Sequence, residues 1–408
     1  MQLTQTLLLT ILAATCGIVC HKHGKTKKFE VEYEWTFINF TWESETDYQN
    51  AVNTKTYIPE NNLISGFKFY KDAFYFALPR LCKGTPVTVA YFSTKNTTPK
   101  TGPLLIPFPD WKTNDVNNPS CDNLVNVQSL EIDVNGVMWV VDGTRQAPSK
   151  CPPKLVLYDL NNKGKTIHTY IFPNDVCLHN GGFLNDIVID DSDGTFAYIP
   201  DTSFIDPGLV AYSRAKNRAW KLRDASMFPE IKAAGFVVNG DVINPLYPID
   251  GIALSPKVSS GSRRVYYSSL TGVRLYSIST KLLKNETVFS GDGWRRNVKY
   301  VGTKRAQSDG MIMDNVGVLY YGLLPLDAIE KWNTNEPLKK AEVVYQNYKT
   351  MIWPDSFCFD NSGNVYVLAD EIYKLILSKC VFNSSQNYVK YRIFKSFTGT
   401  QSYLYTAK

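Results

Sequence analysis

Six short segments of the 408-residue chain open on a polar side chain and continue as apolar-x-apolar, and that polar column reads Ser65, Gln128, Asn185, Asp250, Asp309 and Asp355. Three carboxylic acids among six polar groups, brought together, make a site for a cation, either an ammonium group or a metal ion. The competing reading is turn chemistry, because Asp250 and Asp309 each precede Gly and such an Asp caps the backbone of its own turn. Burying several carboxylates together demands a positive partner, which favours a shared site over three separate caps. Near the sixth segment, Tyr348, Trp353 and Phe357 offer flat faces for ring stacking or cation–π contact, and the same residue types serve equally as packing between sheets. Acid–base chemistry has little to work with. Of four His, His21 and His23 lie in a basic tail, and His168 and His179 lack metal-ligand spacing. There is no GxSxG elbow and no Gly-rich phosphate loop, and no basic-aromatic stripe that would suit nucleic acid. No catalytic residue, cofactor or resident metal is expected.

The elements that must position this column are strands. Each copy runs from a first strand through a turn rich in Asp, Asn or Gly to a second strand heavy in aromatics, as in Gln128 to Ile132 leading to Met138-Trp139-Val140. The first apolar positions are 67, 130, 187, 252, 311 and 357, so the spacings are 63, 57, 65, 59 and 46 residues. Each interval holds about four strands with loops, and the connectors beginning at Asp133, Asp190, Asp314 and Asp360 carry hairpin chemistry. Six hairpin-based sheets define an all-β fold, a six-bladed β-propeller with a central ligand channel lined by the first strand of every blade. Closure of the ring is expected to pair the segment Phe29 to Trp42 with the last blade, since an open ring exposes a sheet edge. The domain reading is a signal peptide over residues 1–20 and one propeller over 21–408.

Composition agrees with an exported globular protein. Hydrophobic residues make up 44%, aromatics 13% and the net charge is +6, which excludes a disordered chain and favours strands. Residues 1–20 hold no charged side chain and an apolar run too short to cross a bilayer, the pattern of a secretory signal. Secretion, no membrane insertion and a monomer are expected. Acceptor triplets for N-glycosylation occur at Asn39, Asn96, Asn285 and Asn383. The cluster from His21 to Lys28 is either a frayed terminus or a grip for an anionic polysaccharide. Cys82, Cys121, Cys151, Cys177, Cys358 and Cys380 suggest three disulfides, with 15 connectivities open. Position within the repeat argues for Cys82–Cys121, Cys151–Cys177 and Cys358–Cys380, with Cys121–Cys151 as the rival.

Several segments in fixed order resemble the yellow / major royal jelly protein family of insects. They include Tyr57-Ile58-Pro59-Glu60-Asn61-Asn62, Ile106-Pro107-Phe108-Pro109-Asp110-Trp111, Met138-Trp139-Val140-Val141-Asp142-Gly143, Asn185-Asp186-Ile187-Val188-Ile189-Asp190 and Trp353-Pro354-Asp355-Ser356-Phe357, and the likeness runs from about Glu34 to Asp370. The resemblance implies a six-bladed propeller. It also implies one of several divergent functions, of which the salivary branch of blood-feeding flies looks most similar. Members of that branch sequester serotonin, catecholamines and histamine in the channel, countering host haemostasis and inflammation. They hold the ammonium near the sixth blade and sandwich the ring between aromatics, which carries over here to Asp355 and Phe357. Asn347, Thr350, Asp309 and Asn185 join them by position. The expectation is therefore a binding protein for small amines. The runner-up is an enzyme, converting dopachrome in melanin synthesis or acting as a propeller lactonase with calcium or magnesium on Asn185, Asp250 and Asp309.

Overall fold

The structure is a computed structural model and describes residues 28–95, 98–143, 151–257, 262–378, 380 and 388–406. The apolar leader, most of the basic cluster, Asn96 and Asn383 lie outside the described residues. Six four-stranded antiparallel sheets form the blades of a propeller. Their innermost strands are Gly66–Tyr70, Val127–Ile132, Val188–Asp190, Ile249–Leu254, Met311–Met313 and Pro354–Phe359, for blades one to six. Each coincides with one of the six apolar-x-apolar segments, whose apolar positions pack into the blades while the polar ones between and before them are left for the axis.

The connectors behave as their residues dictate. Asp133 Oδ1 accepts from the backbone N–H groups of Asn135 and Val137 at 2.9 and 3.0 Å, and Asp314 and Asp360 repeat the arrangement in blades five and six. Each turn closes on a glycine at positive φ, 79° at Gly136 and 86° at Gly363, where a side chain would be strained.

Ring closure follows the expected route. Glu30–Trp35 pairs antiparallel with Tyr391–Phe397, so the N-terminal strand becomes the outermost strand of blade six. A disulfide between Cys82 and Cys380, 298 residues apart, joins blade one to the segment following the second strand of blade six. The second disulfide is Cys121–Cys151. This corrects the pairings argued from repeat position. Equivalence within the chain ignores that blades one and six are neighbours around the ring, so the cysteines that follow their second strands meet. Cys177 and Cys358 are buried thiols, and burial pushes both well above the ordinary thiol range.

Most aromatics pack within and between blades. Rings meet across boundaries at Phe74–Tyr366 (5.0 Å, blades one and six), Phe108–Tyr158 (5.3 Å, one and two) and Tyr320–Phe359 (5.9 Å, five and six). Such pairs add about 0.5–1.5 kcal/mol each beyond the area they bury.

Two segments cross the ends of the channel. A hairpin of Phe236–Val238 and Asp241–Ile243, inserted between blades three and four, packs on Leu270 of blade four, Leu324 of blade five, and Trp353 and Tyr373 of blade six. At the other end the tail delivers Tyr403, whose hydroxyl donates to Glu131 of blade two and accepts from the Ile189 N–H of blade three. Its carbonyl takes a hydrogen bond from Arg263 of blade four, and its N–H donates to the Met313 carbonyl of blade five. Four blades thus hold one tyrosine.

Candidate functional site

Five members of the polar column converge. Ser65, Asn185, Asp250, Asp309 and Asp355 line one cavity on the propeller axis, with Ser129, Asp186, Gly310 and Ser356. Gln128 does not join them. A register shift between Val127 and Ser129 presents Ser129 in its place, as bulges do when they re-aim a side chain. The Asp-Gly pairs also have a cause other than turn geometry. A Cβ on Gly251 would stand 2.2 Å from the Asp309 carbonyl oxygen, and one on Gly310 would stand 2.2 Å from that of Asp355. The inner strands approach so closely at the axis that only hydrogen fits there, and the Asp side chains are left facing the channel.

The cavity measures about 20 Å³, room for one water-sized group. Its hydrogen bonds are largely internal: Asn185 Nδ2 donates to Asp250 Oδ1, Ser129 Oγ donates to Asp186 Oδ1 at 2.9 Å, and the Trp353 indole donates to Asp309 Oδ2 at 2.8 Å. Trp353 holds a left-handed backbone conformation, φ 47°, and is fully buried. A non-glycine residue kept there marks a position over-determined by its surroundings.

Asp355 stands between Asp309 and Asp370, in hydrogen-bonding contact with both. Burial pushes Asp309 up to about 7 and Asp370 up to about 8. Burial, then the neighbouring charges of Asp309 and Asp370, carries Asp355 well above the carboxylate range. Carboxylates only accept, so contact among three of them requires shared protons. Beyond those carboxyl–carboxyl contacts, Asp355 Oδ2 and Asp370 Oδ2 receive no hydrogen bond among the described residues. The cation whose charge reaches Asp309 is Lys304, itself buried and lowered to about 7 by desolvation, with its amine on Ser268 and Ser308.

The far half of the channel is balanced differently. Lys68 lies 3.9 Å from Glu131, and a second cavity of about 10 Å³ is lined by Lys68, Glu131, Asp186 and Tyr403. Burial works against the Lys68 ammonium, but Glu131 and Asp186 outweigh it and raise the group.

The remaining expected site residues disperse. Phe357 is 2% exposed and packs with Ile312, Tyr320, Met351 and Phe359 between blades five and six, lining neither channel cavity. Sequence reasoning missed that alternation on its strand turns 355 and 357 to different surroundings once the register shifts between Pro354 and Ser356. Asn347 caps a local turn through the Lys349 N–H, 3.0 Å. Thr350 lines a separate cavity of about 190 Å³ with Asp370, Glu371, Tyr388, Lys390 and Arg392. Asp370, which joins this cavity to the acidic cluster, follows a strand with no motif to announce it. Among the described residues, no group of three or more His, Cys, Asp or Glu is spaced to hold a metal ion, while Asn185, Asp250 and Asp309 do share the axial cavity.

The fold and the convergent acidic axis define a six-bladed propeller with a charged, tightly closed channel. The family profile described as major royal jelly protein matches residues 125–398, and the chain belongs to that family. Protein yellow of Drosophila guanche is 28% identical over 386 residues, 91% of this chain, and protein yellow of Drosophila melanogaster is 27% identical over 367 residues, 86% of it. The chain spans 66% of the length of each. Among solved structures, a luciferin-regenerating enzyme superposes with a TM-score of 0.50 at 12% identity, covering 85% of this chain and 96% of its own, a likeness of fold.

Proposed function

We propose that this chain is a secreted binding protein for small amines, without turnover, that holds the ligand's ammonium on Asp370 and Asp355 and its ring in the adjoining cavity. The observation that carries the reading is the pair of buried carboxyl oxygens, Asp355 Oδ2 and Asp370 Oδ2, with no donor among the described residues besides the neighbouring carboxyls, next to a cavity of about 190 Å³. An ammonium supplies three donors and a charge, the two things this cluster lacks. A cavity of about 150 Å³ accommodates benzene, so a single ring with a short amine arm fits. The axial cavity does not have that room, which moves the ring from the channel to its flank. The two disulfides suit the oxidising compartment into which a sequestering protein is exported.

Calorimetric titration with serotonin, dopamine, noradrenaline and histamine tests the reading. Binding at micromolar concentration is expected, weakened about 10–100-fold by Asp370→Asn, because hydrogen bonds to charged groups contribute about 1.5–3 kcal/mol. An absence of heat with all four amines would sink it. Equal affinity in wild type and in both Asp370→Asn and Asp355→Asn would move the ligand to another site.

A further inference from the structure

A second site lies on the outside of blade one. A cleft of about 560 Å³ opens between the helix Glu45–Asn53 and the loop after Trp111, within the roughly 300–1,000 Å³ typical of small-ligand sites. Two indoles line it: Trp42 and Trp111 stack on each other with centroids 4.7 Å apart and planes at 29°, both half-buried. Both indole N–H groups are already engaged, Trp42 with Asn39 Oδ1 at 3.1 Å and Trp111 with the Thr41 carbonyl at 3.3 Å. What the stacked pair offers a ligand is therefore the outer apolar surface of its rings, not the faces they share. The walls carry the carboxylates of Glu43, Asp47 and Asp115 and the amide of Asn50, against the single cation Lys112.

We infer that this cleft is a saccharide-binding site. A pyranose has an apolar face of C–H groups, which suits a flat aromatic surface, and an edge of hydroxyl donors, which suits carboxylates accepting through two oxygens. Three carboxylates to one lysine disfavour sulfated or uronic sugars, so the ligand class is a neutral hexose or N-acetylhexosamine oligomer. Its source is either a free saccharide or the chain's own glycan. Asn39-Phe40-Thr41 is an acceptor triplet, and the Asn39 side chain touches Trp42.

The test titrates the secreted full-length protein with N,N′-diacetylchitobiose and with cellobiose, followed by calorimetry and by tryptophan fluorescence. A parallel arm uses Thr41→Ala, which removes the acceptor triplet while leaving Asn39 and the Thr41 carbonyl in place. Binding by wild type, weakened at least 10-fold by Trp111→Ala and several-fold by the surface variant Asn50→Ala, supports a site for free saccharide. Binding that appears only in Thr41→Ala supports the site with the Asn39 glycan as its occupant. Two results overturn the inference: neither disaccharide binds in either background, or binding occurs and both Trp111→Ala and Asn50→Ala leave it unchanged.

Discussion

Replacing Asp309 by Asn should remove a pH dependence from the stability of the whole propeller. Asp309 is raised from 3.8 to about 7 by burial. The folded protein therefore keeps a proton there that the unfolded chain releases near pH 4. The stabilisation is fully present below the unfolded value and is lost as pH rises through about 7. A shift of about 3 units corresponds to about 4 kcal/mol at 1.36 kcal/mol per unit, and about 2.5 kcal/mol of it disappears between pH 5 and pH 8 by the same linkage. The amide introduced by Asp309→Asn retains an acceptor for the Trp353 indole, which now lies 2.8 Å from Asp309 Oδ2, and it cannot ionise. Urea unfolding at pH 5 and pH 8 should show wild type losing about 2.5 kcal/mol more than Asp309→Asn over that interval. A saturating amine at pH 8 should return part of that loss to wild type. Parallel pH profiles for the two proteins would refute the shared-proton account of the acidic cluster.

Amine affinity itself should rise from pH 6 to pH 8.5, because the ligand's ammonium stays charged while Asp370, raised to about 8, gives up its proton; calorimetry in two buffers of different ionisation heat should detect that release. Removing the Cys82–Cys380 bridge should cost up to about 5 kcal/mol, and removing Cys121–Cys151 about 3.5 kcal/mol, from the loop lengths they close. Peptide mapping without reduction should recover both pairs, and a Cys82–Cys121 peptide would contradict the closure argument. Tyr403→Phe should destabilise by about 1–3 kcal/mol by leaving the Ile189 N–H and Glu131 short of a partner, which denaturant midpoints would report; no change would mean the tail does not hold its end of the channel.

The blades were legible because the signal repeats. Asp133, Asp314 and Asp360 announce their hairpins by accepting backbone N–H groups two and four residues on, a local rule needing no knowledge of the fold. Convergence of the polar column was legible for the same reason, since repeats related by rotation bring equivalent positions to one axis. What stayed hidden depends on departures from the repeat. A single bulge exchanges Gln128 for Ser129, and another separates the surroundings of Asp355 and Phe357. Asp370 gains its importance only from contact with Asp355, and the Cys82–Cys380 pair only from the ring being closed. Long-range adjacency of that kind leaves no spacing in the chain.

The two halves of the channel solve one electrostatic problem in two ways, and that contrast is itself testable. In the far half, burial raises Glu131 and Asp186 as well, but Lys68 supplies positive charge that opposes it, so the carboxylates there have a resident partner. In the near half Lys304 is lowered to about 7 by burial and is a weak partner, so Asp309, Asp355 and Asp370 hold protons instead. If that distinction is correct, Lys68→Met should make the far half behave like the near one. Glu131 and Asp186, already raised by burial, would lose the cation that holds them down and bind a proton on folding more strongly. The cost should reach about 3–5 kcal/mol at pH 8, the usual price of breaking a buried ion pair, and shrink toward pH 5 as a proton replaces the lysine. Urea midpoints across that range measure it directly. A cost that does not change with pH would mean that Lys68 acts through packing and its 3.1 Å hydrogen bond to the Phe357 carbonyl rather than through charge.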